Sequence, residues 1–263
     1  MKNKLGIIGG GNMGEAILNC VRKQYSVLVS EKDKTRAGHL QTTYYIKIET
    51  LKTVVETSEI VLIAVKPQDF EDVLREIKPW IDERKLVVSI AAGITTAYIE
   101  KIFGKNVRVI RTMPNMPAMI ASGITAVCPG RYAKKTDVET ACKIFNHLGK
   151  TVIVQEQEMD AITAVSGSGP AYLFCFLECL MKAAQALGLK EDLSKELVAS
   201  TFLGSALLLD QQKADPGALR AKVTSKGGTT EAALAIFEKN KLEEIIAQAL
   251  QAARKRAEEL SRR

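Results

Sequence analysis

Two short stretches carry residues whose types and spacing grip anions. In Gly9-Gly10-Gly11-Asn12-Met13-Gly14 the pattern G-x-G-x-x-G is met by Gly9, Gly11 and Gly14. Such glycines allow a tight turn and let backbone N–H groups close on a pyrophosphate, with a helix N-terminus aimed at the charge. In Ser225-Lys226-Gly227-Gly228-Thr229-Thr230 two adjacent glycines precede Glu231-Ala232-Ala233-Leu234, which reads as a fresh helix start. This is a second anion cradle. The chain is therefore expected to hold two ligands that must meet.

The elements that would position these stretches follow from hydrophobic period. Residues 5–8, 26–30, 60–65, 86–90, 107–112, 124–128 and 151–154 read as strands, with helix patterns between them, notably 13–23 and 70–78. The alternation predicts an α/β fold with a Rossmann-like, doubly wound, mostly parallel sheet. The strand at 5–8 runs into Gly9 and a helix follows Gly14, the context a dinucleotide loop requires, with Asn12 and Met13 inside it. Beyond about residue 155 the strand signal stops, and 170–188, 195–212, 216–222, 230–238 and 242–260 read as helices. Pro170 fits the first position of a new helix and Gly188 its end. The predicted division is a dinucleotide-binding domain over 1–157 and an all-helical substrate-binding and oligomerisation domain over 158–263.

Composition excludes several function classes. The net charge of +7 comes from bases interleaved with acids, so no basic stripe marks a nucleic-acid binder. Arg254-Lys255-Arg256 and Arg262-Arg263 fit a helix dipole better than a nucleic-acid tail. The apolar run at 171–187 contains Glu178 and Lys182, which argues against a membrane span, and the run at 5–8 breaks too early for a signal peptide. Five cysteines form no CxxC pair, the pattern of a reduced, cytoplasmic protein. Cys175 and Cys179 read as core packing and no metal site is expected, since neither His39 nor His147 is near in sequence. The helices at 171–187 and 197–209 are apolar almost all round, more than about a hundred helical residues can bury. A dimer or higher homo-oligomer is expected.

Choice of dinucleotide turns on the end of the second strand, where an acid binds the ribose 2′-hydroxyl of NAD and bases accept the 2′-phosphate of NADP. Ser30, Lys32 and Lys34 lean one way and Glu31 the other. NADPH or NADH is expected, tilting slightly to NADPH. Ala64-Val65-Lys66-Pro67 ends a central strand at the carboxyl edge of the sheet, where such folds bind ligands. Lys66 could equally be a solvated surface lysine. Ser166-Gly167-Ser168-Gly169 reads as a helix-starting turn with no ligand.

Together these motifs make the chain resemble the pyrroline-5-carboxylate reductase family over essentially its whole length. The markers are Gly9 to Gly14, Ala64-Val65-Lys66-Pro67-Gln68, Ser89-Ile90-Ala91-Ala92-Gly93, Arg111-Thr112-Met113-Pro114-Asn115, Ser166 to Tyr172 and the stretch 216–238. The resemblance implies an NAD(P)H-dependent reduction of the cyclic imine 1-pyrroline-5-carboxylate to L-proline, the last step of proline biosynthesis. It implies that Ser225, Gly227, Gly228, Thr229 and Thr230 hold the substrate carboxylate. Thr230 would be the catalytic residue, its hydroxyl orienting the imine nitrogen; on its own sequence Thr230 reads as an N-cap. The resemblance also places Ala64 to Pro67 and Ala91-Ala92 around the nicotinamide, with Met113, Pro114 and Asn115 nearby. Three positions depart from the family's usual pattern: Lys226 stands where proline is common, Glu31 where arginine is common, and Thr50 in a region where a cofactor-contacting asparagine is common, so Thr50 is not counted among the site residues. The rival readings are a related imine or β-hydroxyacid-type reductase, for which Lys182 is the candidate acid, and a non-catalytic NAD(P) sensor.

Overall fold

The structure, a computed structural model, describes residues 3–261; Arg262 and Arg263 at the basic C-terminus, like Met1 and Lys2, lie outside them. Contacts divide the chain into two compact units, Met1–Pro170 with Ala252–Arg263, and Ala171–Gln251.

In the first unit seven strands, β1 (Lys4–Ile8), β2 (Ser26–Ser30), β3 (Ile60–Ile63), β4 (Leu86–Ser89), β5 (Arg108–Pro114), β6 (Gly123–Pro129) and β7 (Gly149–Ile153), form one sheet. Their order is β2-β1-β3-β4-β5-β6-β7. The runs IVLI of β3 and LVVS of β4 are buried at every position, as strands covered on both faces must be. Leu62 and Val88 pack into one core with Leu5, Ile7 and Ile17, whereas Val61, Ile63 and Val87 pack into another with Val54, Phe70 and Leu74. The period of two thus sorts alternate residues to the two sheet faces. All neighbours run parallel except β5 and β6. Only the 3-10 turn Met116–Ile120 joins those two, too short for the crossover a parallel pair needs. Because β2 and β3 flank β1, chain direction reverses there and opens a crevice at the strands' carboxyl ends.

The first unit extends past the division expected from sequence. After β7 come the 3-10 turn Glu156–Glu158, the short helix Met159–Ile162 and a π-turn at Thr163–Gly167. Met159 is fully buried with Ala126, Cys128 and Val154, which ties this segment to the sheet. Pro170 lies in the first turn of helix Gly169–Ala186, as expected, but that helix follows directly on a helical path begun at Met159. A proline inside such a path lacks an N–H and crowds the preceding turn. The π-turn, with Ser168 N–H donating to Thr163 O at 3.0 Å, widens the path just before it. The last helix, Leu242–Ser261, ends back on the first unit. There Leu260 lies so close to Gly93 that a Cβ on Gly93 would come within 2.6 Å of the Leu260 Cβ, and Ser261 Oγ donates to Asp160 at 2.9 Å.

The second unit is helical: most of Gly169–Ala186, then Glu191–Gln212, Pro216–Lys222, Thr229–Lys239 and the start of Leu242–Ser261. Phe176 and Phe202 pack edge to face with ring centroids 5.7 Å apart. Yet no residue of Gly169–Ala186 is buried, and only Ser194 is in Glu191–Gln212. Leu203 is 63% exposed and Phe174 54%. Cys175 and Cys179 are likewise exposed, not packed in a core. Burial of these helices on every side is not achieved within one chain.

Candidate functional site

The N-terminal glycine loop sits at the β1 crevice, and its glycines have different causes. Gly9 takes φ +97°, a conformation that side chains disfavour, and its N–H donates to Ser30 O at 2.8 Å. A Cβ on Gly9 would lie 2.7 Å from Ala64 O, and one on Gly14 would lie 2.2 Å from Gly9 O. The protein's own backbone demands both. A Cβ on Gly11 would meet nothing within 4 Å, and Gly11 caps helix Asn12–Val21 without a side-chain hydrogen bond. Open space over uncapped helix amides, including those of Asn12 and Met13, fits a pyrophosphate.

At the end of β2, Glu31 folds back over the loop. Its Oε2 accepts Gly10 N–H at 2.6 Å and its Oε1 accepts Asp33 N–H at 2.8 Å. Lys32 reaches across to Asp69 at 3.1 Å. Arg36, which sequence reasoning passed over, donates to Gly10 O at 2.6 Å and pairs with Glu15. Glu15 also meets Tyr44 Oη at 2.9 Å and His39 Nε2 at 3.0 Å. Burial pushes the Glu15 carboxyl up, but Tyr44, His39 and Arg36 together hold it below the ordinary glutamate value.

The structure brings the next expected residues to the same sheet edge. Ala64 and Val65 follow β3 against Gly9. Lys66 is exposed, and its carbonyl accepts Asp69 N–H at 3.0 Å. Pro67 is half-buried beside it. Ala91, buried after β4, donates its N–H to Ser89 Oγ at 3.2 Å, with Ala92 half-buried next to it. Met113 and Pro114 end β5. Met113 packs on the π-turn, where a Cβ on Gly167 would lie 2.5 Å from its Cε. Asn115 Oδ1 accepts Ile124 N–H at 2.9 Å and its Nδ2 donates to Ser166 Oγ at 3.4 Å. Ser166, read as part of a plain turn, is thereby bonded to the strand-end motif.

The sequence reading also missed the charge cluster behind this edge. Arg111 is 1% exposed and donates to Glu156 Oε1 at 2.5 Å, with Asp160 at 3.6 Å. The other Glu156 oxygen accepts from Thr96 N–H at 3.0 Å and Thr96 Oγ1 at 2.6 Å. Thr96 opens helix Thr96–Phe103, so the carboxylate also faces a helix N-terminus. Burial, and next the Glu156 charge, push the Cys128 thiol up to about 12, which leaves it unreactive. Arginine in the middle of a buried strand was the available signal, since a buried cation requires a partner. No group of metal-binding side chains occurs among the described residues.

In the second unit the GGTT loop forms a built turn. Gly228 N–H donates to Ser225 O at 3.0 Å, and a Cβ on Gly228 would lie 2.5 Å from Ser225 Oγ. Gly227 takes φ +72° with open space where its Cβ would be. Gly228, not Thr230, is the N-cap of helix Thr229–Lys239, with no side-chain cap bond. The first intrahelical bond runs from Ala232 N–H to Gly228 O at 3.2 Å, so the amides of Thr229, Thr230 and Glu231 precede it. The Gly227 N–H, expected to be a free anion donor, instead donates to the Glu231 carboxylate at 2.7 Å. The cradle thus holds a carboxylate of its own chain. Lys226 is exposed. Lys182 bonds to Glu178 at 2.5 Å, and that bond holds its ammonium above the ordinary lysine value, a poor state for a general acid.

Comparison with known proteins places the two halves. Residues 4–93 match a family model described as NADP oxidoreductase coenzyme F420-dependent, and residues 156–260 match one described as pyrroline-5-carboxylate reductase dimerisation. The chain is 38% identical to the pyrroline-5-carboxylate reductase of Synechocystis, covering 100% of both chains. It is 36% identical to that of Mycobacterium leprae, covering 98% of this chain and 96% of the other. Its structure is similar to a Coxiella burnetii pyrroline-5-carboxylate reductase, with TM-score 0.92, 33% identity and 100% of each chain covered. It is also similar to a Plasmodium falciparum pyrroline carboxylate reductase with NADP bound, with TM-score 0.89, 29% identity and 98% of each chain covered.

Proposed function

The chain belongs to the pyrroline-5-carboxylate reductase family, and from that premise we propose that it reduces 1-pyrroline-5-carboxylate to L-proline with NADPH or NADH. The observation that carries the reading is the glycine-capped start of helix Thr229–Lys239, an anion cradle on a chain that also has a dinucleotide loop. The bound cofactor supplies hydride from its nicotinamide. The protein's own work is to bind, orient and exclude water.

In this reading Gly9, Gly11, Asn12, Met13 and Gly14 hold the pyrophosphate, and Ser30, Glu31 and Lys32 face the adenosine ribose. Ala64 to Pro67, Ala91, Ala92 and Met113 to Asn115 border the nicotinamide half. Ser225, Gly227, Gly228 and Thr229 grip the substrate carboxylate after it displaces Glu231 from the Gly227 amide. Gly228 serves as cap, which leaves the Thr230 hydroxyl without capping duty and supports its role of orienting the imine nitrogen.

The run Glu156–Ala186 is long and apolar enough to cross a membrane by length and composition. It lies within the part that matches a dimerisation family, so a second copy of this chain is the partner proposed for its apolar face. Five free cysteines support a cytoplasmic enzyme. Cofactor binding belongs to the sheet unit, Met1–Pro170 with Ala252–Arg263, and substrate binding and association to the helical unit Ala171–Gln251. The test follows NADPH and NADH absorbance with purified protein and racemic pyrroline-5-carboxylate. Consumption of either cofactor in step with proline formation is expected, and oxidation of neither would refute the reading.

A further inference from the structure

We infer that this chain binds NADH in preference to NADPH and that Glu31 decides it. The inference rests on the proposed function only in needing a dinucleotide at the Gly9–Gly14 loop. From sequence alone Ser30, Lys32 and Lys34 against Glu31 leave the choice open with a slight tilt to NADPH, but the geometry weighs them differently. Glu31 is half-buried and fixed by two backbone N–H groups, Gly10 at 2.6 Å and Asp33 at 2.8 Å. Its carboxylate therefore stands at the end of β2, beside the loop, in the position from which an acid accepts a hydrogen bond from a ribose 2′-hydroxyl.

A 2′-phosphate there would bring roughly two negative charges against that fixed carboxylate. Two of the cations that could offset it, Arg36 and Lys32, are already engaged, and Lys34 is exposed. Arg36 is held by Gly10 O at 2.6 Å and by Glu15, itself kept ionised by Tyr44, His39 and Arg36. Lys32 is bound to Asp69, and its side chain is 81% exposed. Such an exposed pair breaks at little cost, so Lys32 can swing toward a phosphate. It would bring a mobile, hydrated charge against an immobile one. Asp33 is occupied as N-cap of helix Lys34–Tyr44 and adds a second acid beside Lys34. A dinucleotide ending in a hydroxyl completes this arrangement, whereas one ending in a phosphate must break it.

The test titrates the full-length protein with NADH and with NADPH, following nicotinamide fluorescence without substrate, and repeats it with Glu31→Gln. Displacement of NADH by 5′-AMP and by adenosine 2′,5′-bisphosphate isolates the 2′ position. The native protein is expected to bind NADH about tenfold more tightly than NADPH, and AMP more tightly than the bisphosphate. Glu31→Gln is expected to bring the two cofactors within about threefold, mostly by tightening NADPH. Equal or tighter NADPH binding by the native protein would overturn the inference while leaving the proposed function standing, and it needs no variant to fold. An unchanged ratio in a folded Glu31→Gln would overturn the role of Glu31. Binding of neither cofactor would refute the proposed function itself.

Discussion

Truncating Glu156 should harm the fold more than removing Arg111, although the two are partners in one ion pair. The asymmetry comes from burial: the Arg111 side chain is 1% exposed and that of Glu156 31%. In Glu156→Ala the guanidinium keeps only Asp160, at 3.6 Å, and both Thr96 donors lose their acceptor. Two guanidinium nitrogens, Nε and Nη2, already lack a hydrogen-bond partner, so nothing else is in place to take the charge. Breaking a buried pair from one side costs about 3–5 kcal/mol, and water entering through the partly exposed Glu156 position brings this to about 3 kcal/mol. In Arg111→Met the volume is largely refilled. The remaining carboxylate keeps its Thr96 bonds, the helix N-terminus and its contact with solvent, so the cost is about 1 kcal/mol.

Urea unfolding followed by far-UV circular dichroism measures this. Protein concentration must be held fixed, because association shifts apparent stability. The expected order of midpoints is native, then Arg111→Met, then Glu156→Ala, about 2 kcal/mol separating the two variants at unchanged m. Glu156→Gln, which keeps an acceptor but no charge, should fall between them. A loss in Arg111→Met equal to or greater than that in Glu156→Ala would refute the asymmetry.

Three other substitutions separate roles that the geometry assigns. Gly14→Ala drives a Cβ to 2.2 Å from Gly9 O and should lower both stability and dinucleotide affinity; Gly11→Ala, with open space within 4 Å, should weaken only the affinity. Thermal melts with and without NADH tell them apart, and a destabilised Gly11→Ala apoprotein would contradict the assignment. Glu231→Gln removes the carboxylate that occupies Gly227 N–H and should lower KM for pyrroline-5-carboxylate about threefold with kcat little changed. A raised KM would show that Glu231 assists binding instead. The Glu15 carboxyl lies below its ordinary value of 4.5 in the folded state, so its contribution to stability is present above that pH and is lost as pH falls through the lower folded value. The melting-temperature difference between native and Glu15→Gln should shrink below about pH 4.5 and stay constant above it.

What the sequence made legible was local. Both glycine stretches form tight turns, and part of the reason is local: Gly14 closes on Gly9 and Gly228 on Ser225. All seven strands lay near their expected places, since fully buried runs such as IVLI leave no competing period. Direction was harder. Nothing in β6 itself announces that it runs antiparallel; that follows from the short connection before it. The charge clusters were hidden for a stronger reason. Arg111 meets Glu156 across 45 positions and Arg36 meets Glu15 across 21, and no periodicity links residues that only the sheet topology brings together.

The apolar helices are the opposite case, where the pattern alone showed more apolar surface than one chain can bury, and only Cys175 and Cys179 were wrongly placed in a core of that chain. Hydrophobic periodicity states how much surface must leave water, not which molecule covers it. In Gly169–Ala186 no residue is buried by its own chain, and the same stretch falls in the part matched by a dimerisation family. Exposed Cys175 and Cys179 follow from the same geometry, because a helix covered by another copy has its core outside the monomer. The carboxylate cradle belongs to this same helical unit. Its amides ahead of the first intrahelical bond are legible in the spacing of a few residues, whereas the cover for the apolar faces lies in a second chain and is not.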